Sequence, residues 1–183
     1  MRLSRPAILN RIQSRSLLFD PPLEPEQVDA SSIDLRLGTR FIRFDQTIAR
    51  QKGMGADVRF DVANANWDRL VEEFGEVTDV PNGEAFELPL GRLVMGWTQE
   101  YLKLPNDLAG RVEGKSRLAR LGLMVHITAP TLQVGWEGNL QLEFYNVGAA
   151  PLLLRPGARI CQIILEEVTD PSEYQGQFQR QHS

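Results

Sequence analysis

A mainly β chain of sandwich or barrel type is predicted by three observations. From residue 84 onward the sequence breaks into short apolar runs divided by Gly and Pro, the spacing of strands and turns in small β architectures. Residues 31–38 alternate, with Ile33, Leu35 and Leu37 on one side and Asp34 and Arg36 on the other, as a half-buried strand does. Helical spacing is confined to a short N-terminal segment and one further short segment.

The N-terminal helix spans residues 4–15. Ser4 suits the N-cap, Pro6 suits the first turn, and Ile8, Leu9 and Ile12 fall on one face. The proline-rich stretch 20–25 is a loop. The strand over 31–38 continues through Phe41–Phe44, and residues 50–57 read as a mobile surface loop. Residues 66–74 form the second helix, because Trp67, Leu70, Val71 and Phe74 are spaced i, i+3, i+4 and i+7. Pro81-Asn82-Gly83 is a turn. Strands follow at 86–88, 93–97, 109–112, 124–128, 140–146, 150–154 and 159–167. Between them lie the turns Pro89-Leu90-Gly91, Pro105-Asn106-Asp107 and Arg155-Pro156-Gly157. Residues 170–183 are poor in apolar groups and read as a tail that orders only on docking.

Bulk properties narrow the functional classes. The 183 residues, at 42% hydrophobic, fit one domain over 1–183 with a packed core. The net charge of −4 lacks the basic excess of a non-specific nucleic-acid binder. No apolar run approaches the ~20 residues that a membrane span needs, and the N-terminus lacks a signal-peptide core. Cytoplasm is the expected location. The single Cys161 has no internal disulfide partner. With His126 and His182 as the other soft donors, a subunit lacks the ligands for the His/Cys/Cys or Cys₃ zinc site of the zinc nucleobase deaminases.

The chemistry concentrates between residues 113 and 146. Gly114 before Lys115-Ser116 lets backbone N–H groups approach phosphate oxygens. This is not a Walker A loop, since Gly110 and Gly114 have one residue too few between them. Ser116 and Arg120, four apart, share a face on a helical turn; a capped, solvated turn would show the same spacing. In 140–145, Leu140, Leu142 and Phe144 face one side and Gln141, Glu143 and Tyr145 the other. Glu143 is then either an acidic residue on a wet strand face or a general base in a pocket. His126, between Val125 and Ile127, fits a hydrogen-bonded structural role. Trp136 fits base stacking or a core or interface position. The Tyr174–Phe178 segment either closes over a ligand or frays.

Several of these segments carry a resemblance. Met1-Arg2-Leu3, Asp34-Leu35-Arg36-Leu37-Gly38, Gly-Lys-Ser-Arg-Leu-Ala-Arg-Leu-Gly at 114–122, Gly-Trp-Glu-Gly at 135–138 and Leu-Glu-Phe-Tyr-Asn at 142–146 resemble the dCTP deaminase family. So do Pro156-Gly157, Cys161-Gln162 and Tyr174-Gln175-Gly176-Gln177. This family is a branch of the trimeric dUTPase superfamily. The resemblance implies a distorted jelly-roll, or β-clip, fold and a homotrimer with sites between subunits. It implies hydrolysis of dCTP to dUTP and ammonia, which feeds thymidylate synthesis, with Mg²⁺ bound to the triphosphate and no zinc. dTTP is the candidate inhibitor. Glu143 would take a proton from the attacking water, Ser116 and the Ala129 carbonyl would orient that water, and Arg120 would hold Glu143. Lys115 and the following residues Ser116, Arg117, Leu118, Ala119 and Arg120 would meet the nucleotide and its phosphates. Gln133, Gln141, Leu142, Gln162, Tyr174 and Gln177 match other nucleotide-contacting positions.

The chain departs from the family pattern in places. Thr131 and Gln133 stand where one large branch has Arg and Asp. An amide cannot accept the proton that the dUTPase-type Asp accepts, so Gln133 argues against dUTP hydrolysis. Arg117 replaces a small hydroxyl residue, and Glu173 a Lys of some members. Two competing functions follow: a dUTPase-like pyrophosphatase or bifunctional deaminase–dUTPase, and a non-catalytic nucleotide-binding regulatory trimer.

Overall fold

The computed structural model describes residues 1–170 apart from 45, 52, 54–58 and 82. Tyr174, Gln177 and the rest of the expected closing tail, most of the expected 50–57 loop, and Asn82 of the expected turn lie outside the described residues. The chain runs through α1 (Arg5–Gln13), β1 (Leu18–Asp20), a 3₁₀ turn (Pro25–Gln27), β2 (Ile33–Phe44), α2 (Gln46–Gln51), α3 (Trp67–Phe74) and β3 (Gly75–Asp79). There follow β4 (Phe86–Leu88), β5 (Leu93–Lys103), β6 (Leu108–Gly114), α4 (Ser116–Ala119), β7 (Leu123–Met124), β8 (Thr131–Leu132), β9 (Glu137–Asn146), β10 (Leu152–Leu154) and β11 (Arg159–Glu167).

Nine of the strands form one curled antiparallel sheet, ordered β7-β9-β5-β2-β11-β6-β8, with β1 added to β5 and β3 to β2. β4 and β10 form a separate ribbon. The long strands β2 and β5 serve two sets of neighbours. Residues 33–36 of β2 pair with β11, and residues 40–44 pair with β3. The β2–β5 register shifts between Leu37 and Phe41, and the β5–β9 register between Trp97 and Tyr101. These irregularities bend the sheet around a core that includes Leu35, Phe41, Leu102, Leu142, Phe144 and Ile163. No helix among the described residues is long and apolar enough to cross a membrane.

The structure adds short elements to those read from the pattern. β1, β3 and β8 are edge pieces of two to five residues, too short to show alternation. β5 and β9 run further than the predicted 93–97 and 140–146, and the predicted strand over 124–128 shrinks to Leu123–Met124. Ser4 occupies the N-cap of α1, but its hydroxyl makes no capping bond. The chain is anchored there instead by Leu3 N–H to Leu165 O at 2.9 Å and Arg5 N–H to Ala30 O at 2.8 Å. β2 is not half-buried as the alternation predicts. It lies in the middle of the sheet, and Asp34 on its polar side is buried.

That polar side is covered by paired charges. Glu100 is fully buried at the bend. Its Oε1 accepts hydrogen bonds from Arg36 Nε at 2.7 Å and Gln27 Nε2 at 3.0 Å, and its Oε2 accepts one from Arg36 N–H at 2.8 Å. Removing the carboxylate strands a guanidinium whose side chain is only 16% exposed, although Glu24 remains as a second partner at 2.9 Å. Glu100→Ala is therefore expected to cost about 3–5 kcal/mol in urea unfolding; a loss below ~1 kcal/mol would contradict this account of the bend.

Cys161 is fully buried nearby. Desolvation, followed by the Glu100 and Asp34 charges, pushes its thiol far above the usual range. The native thiol therefore stays neutral where an unfolded thiol ionises, so its contribution to stability is lost as pH rises past the ordinary thiol range. The folded protein is expected to resist iodoacetamide at pH 8 and to take up one equivalent, matching its single Cys, once unfolded. Rapid native alkylation would contradict the burial.

Candidate active site

Glu143 sits on the outer face of β9 because its neighbours must be inside. Leu142 and Phe144 are 1% and 0% exposed, and Glu143 between them is half-buried. Across the sheet it is the register partner of Met95 on β5. β7 pairs only with Tyr145 and Asn146, so among the described residues the β9 edge before Tyr145 carries no strand on that side. The chain from Val125 to Pro130 leaves strand geometry there, and Ile127 N–H donates to Glu143 Oε2 at 3.1 Å. A backbone donor thus fixes one carboxylate oxygen. The shortening of the predicted 124–128 strand is what frees this donor from the sheet.

Glu143 opens into a cavity of about 460 Å³. Ala129, Gln133 and Gln141 line the same space, with Thr131 and Trp136. The rest of the lining is largely apolar and includes Trp67, Leu93 and Met95, the last beside Glu143 across the β5–β9 ladder. A single carboxylate and a few amide groups in an apolar chamber is the composition of a small-molecule site. Trp136 takes the core position of its two sequence readings, at 5% exposure within the core cluster, and it also lines the cavity. His126 departs from its expected role, since its Nδ1 is buried without a hydrogen-bond partner.

The other expected residues form a second group at the junction of β6, β11 and α4. Lys115 precedes α4 and pairs with Asp34 of β2, which also lies 4.0 Å from Arg159. Gln162 of β11 donates to Gly114 O at 3.3 Å. Ser116, Arg117, Ala119 and Arg120 are exposed, and Ser116 and Arg120 have no side-chain hydrogen bond or ion pair among the described residues. Leu118 turns inward and packs on the core. Gly122 closes this turn at φ 91°, where a Cβ would lie 2.2 Å from Gly148, so the chain can pass into β7 only with glycine there.

One chain therefore unites Glu143, Ala129, Gln133 and Gln141, and separately unites Lys115, Gln162 and the exposed Ser116–Arg120 turn. Among the described residues Arg120 and Glu143 share no hydrogen bond or ion pair. Leu142 lies with its side chain in the core, which leaves only its backbone for a ligand. The sequence reading missed Trp67, Leu93 and Met95 as cavity walls, because their spacing signals burial whichever space they border. It missed the Asp34–Lys115 pair because the partners are 81 positions apart. Among the described residues no three His, Cys, Asp or Glu side chains gather as a metal site.

Comparison with known proteins identifies the family. Residues 2–168 match the family described as dCTP deaminase-like. The chain is 37% identical to "dCTP deaminase, dUMP-forming" of Methanobrevibacter smithii, over 93% of this chain and 82% of that one. It is 38% identical to "dCTP deaminase" of Rhodospirillum rubrum, over 94% and 85% of the two chains. It is 36% identical to "dCTP deaminase, dUMP-forming" of Persephonella marina, over 99% and 93%. The solved 2'-deoxycytidine 5'-triphosphate deaminase of Agrobacterium tumefaciens shares the fold at a TM-score of 0.66 and 22% identity. That match covers 90% of this chain and 47% of the Agrobacterium chain, so this chain spans about half of it. The mainly β, distorted jelly-roll architecture is thus the one expected, and the extent of these matches shows that the chain belongs to the dCTP deaminase-like family.

Proposed function

We propose that the protein removes the 4-amino group of dCTP by hydrolysis, giving dUTP and ammonia, in sites shared between the subunits of a homotrimer. The observation that carries this reading is Glu143, held at one oxygen by Ile127 N–H and lining a largely apolar cavity. The names of the curated relatives supply the substrate.

The free oxygen of Glu143 takes a proton from water as that water attacks C4 of the cytosine. Electrons move to N3, which receives that proton from Glu143. Glu143 then takes the proton of the new C4 hydroxyl and passes it to the amine as the C4–N bond breaks, so that ammonia leaves and C4 becomes a carbonyl. One carboxylate thus acts as base and acid in turn, and holding the water against C4 removes much of the barrier. Ser116 and the Ala129 carbonyl position the water. Arg120 of an adjoining subunit pairs with Glu143, which explains why that guanidinium is unpaired and exposed within its own chain. The backbone of Gln141 and Leu142 on the open β9 edge meets the edge of the base. With one Cys and two His in the sequence, a His/Cys/Cys zinc site cannot be assembled in a subunit, so the carboxylate alone activates the water.

The triphosphate falls to Lys115, Arg117 and Gln162. Mg²⁺ is a hard cation that takes oxygen ligands and retains water. Phosphate oxygens would hold the ion, with Lys115 and Arg117 beside them, and the Asp34 carboxylate, which pairs with Lys115, is the acidic group nearest that basic cluster. The ion's chemistry is to neutralise phosphate charge. Gln133, an amide in the cavity, cannot serve as the base for attack on phosphorus, which favours dUTP as product. The second reading, release of dUMP and pyrophosphate, is favoured by the names of the Methanobrevibacter and Persephonella relatives.

Incubation with Mg²⁺ and dCTP is expected to yield ammonia and dUTP by mass, with the triphosphate intact. Pyrophosphate from dUTP would favour the second reading, and tight binding with no product would favour a regulatory role. Glu143→Gln is expected to lower kcat by at least about a thousandfold while dCTP still binds; near-normal turnover would remove Glu143 from the mechanism.

A complementation experiment tests the shared site. Glu143→Gln and Arg120→Ala, each inactive alone, are expected to regain about a quarter of wild-type activity when co-expressed at equal levels, because a quarter of random pairings reunite the intact halves. Absence of recovery in mixed trimers would place both groups in one chain.

A further inference from the structure

A smaller second core lies on the outer face of the sheet, away from the main one. Ile42, Met95 and Trp97 are buried there, with Phe44, Trp67, Val71 and Leu93 packed against them. The amphipathic helix α3 covers this face. Asn66 caps the helix, its side chain accepting Arg69 N–H at 3.0 Å, and so makes Trp67 the first helical residue. The far end is locked by Phe74, which is 6% exposed and meets Phe60 edge to face at 4.9 Å. Trp67 itself meets Phe44 edge-on, with centroids 5.5 Å apart at 61°.

Trp67 differs from its neighbour Val71 in one respect. It packs on the second core and also lines the Glu143 cavity, beside Met95, the cross-strand partner of Glu143. The helix needs an apolar side chain at this position, and any aliphatic would satisfy that. An indole adds a broad aromatic face that is only partly buried. A pyrimidine is a flat ring with polar edges. The backbone on the β9 side can meet the edges, and the wall formed by Trp67, Leu93 and Met95 can meet only a face.

Resting on the deaminase reading, we propose that Trp67 is the aromatic wall of the base subsite, packing against the face of the pyrimidine and excluding water from the apolar side of the cavity. Asn66 and Phe74 act as positioning residues by fixing the end and the seat of α3. Stacking tolerates any base, since every base has a π face. Trp67 therefore sets affinity for a pyrimidine nucleotide, and discrimination of cytosine from uracil belongs to the groups on its edge.

The test measures equilibrium binding of dCTP and dUTP to the full chain in the Glu143→Gln background, and steady-state kinetics in the wild-type background. Trp67→Leu keeps an apolar side chain under the helix and removes the ring; it is expected to weaken binding of both nucleotides about tenfold and to raise KM similarly, with kcat within about threefold. Trp67→Phe is expected to stay within about threefold of the parent. Val71→Ala, which loosens the same second core without touching the cavity, is the control, and thermal melts accompany each variant. Parent-like binding by Trp67→Leu overturns the proposal, as does an equal loss from Val71→Ala. Should Trp67→Leu fail to fold, Trp67→Met replaces it under the same criteria. If the wild type releases no ammonia from dCTP, the deaminase reading falls; if it does and Trp67→Leu binds as the parent does, only this inference falls.

Discussion

The register of β9 against β5 is the constraint on which the site depends. Leu140, Leu142 and Phe144 are each no more than 3% exposed, and burying a side chain of this kind contributes about 1.5–3 kcal/mol. Gly96 on β5 completes the lock: a Cβ there would lie 2.7 Å from the Phe144 ring, so the ring rests directly on backbone. A slip of one residue would drive Gln141, Glu143 and Tyr145 into the core and expose the leucines. The orientation of the carboxylate thus follows from hydrophobic burial. Fine positioning then comes from a single local donor, Ile127 N–H.

The buried charges perform a related task at the other group. Glu100 satisfies Arg36 and Gln27 where β2 and β5 bend. Asp34, two residues before Arg36, ties β2 to Lys115 at the start of α4. The pairing holds the Ser116–Arg120 turn at a fixed place on the sheet while its side chains face solvent. The pairing is compatible with the proposed phosphate role of Lys115, because an ammonium has three donors and could keep Asp34 while meeting a phosphate oxygen. Asp34 also moderates the positive charge of Lys115 and Arg159 in the absence of nucleotide.

The mainly β class, both predicted helices and the inside–outside pattern of β9 were legible in the sequence because each rests on local periodicity. α3 was placed within a residue of its observed start by apolar spacing alone, and the Asn66 cap that fixes that start was not read. The pairing of Asp34 with Lys115 and of Glu100 with Arg36 was not legible, since both depend on strands brought together from distant parts of the chain. β2 misled for the same reason: a polar residue on one face signals solvent only when nothing covers that face, and here Glu100 of β5, Lys115 before α4 and Arg159 of β11 place charges against it. The candidate catalytic positions came from resemblance as much as from pattern. Spacing alone left Glu143 between a wet face and a pocket, and the cavity is what separates the two.

The division of the site into two halves has a physical rationale of its own. An unpaired strand edge invites pairing with another chain, and β9 presents such an edge before Tyr145. Leu121, Ile127 and Val147 are 57%, 44% and 61% exposed around it, which is costly surface for an isolated subunit. In a cyclic trimer each interface joins two different patches of the same chain, so the α4 turn of one subunit can face the β9 edge of the next, three times over. Covering the edge and completing the site then become one event. In the proposed trimer, Arg120 and Glu143, uncompensated by each other within a chain, would meet only as the apolar rim is buried, and the carboxylate would gain its guanidinium partner in the same step that closes its cavity to water.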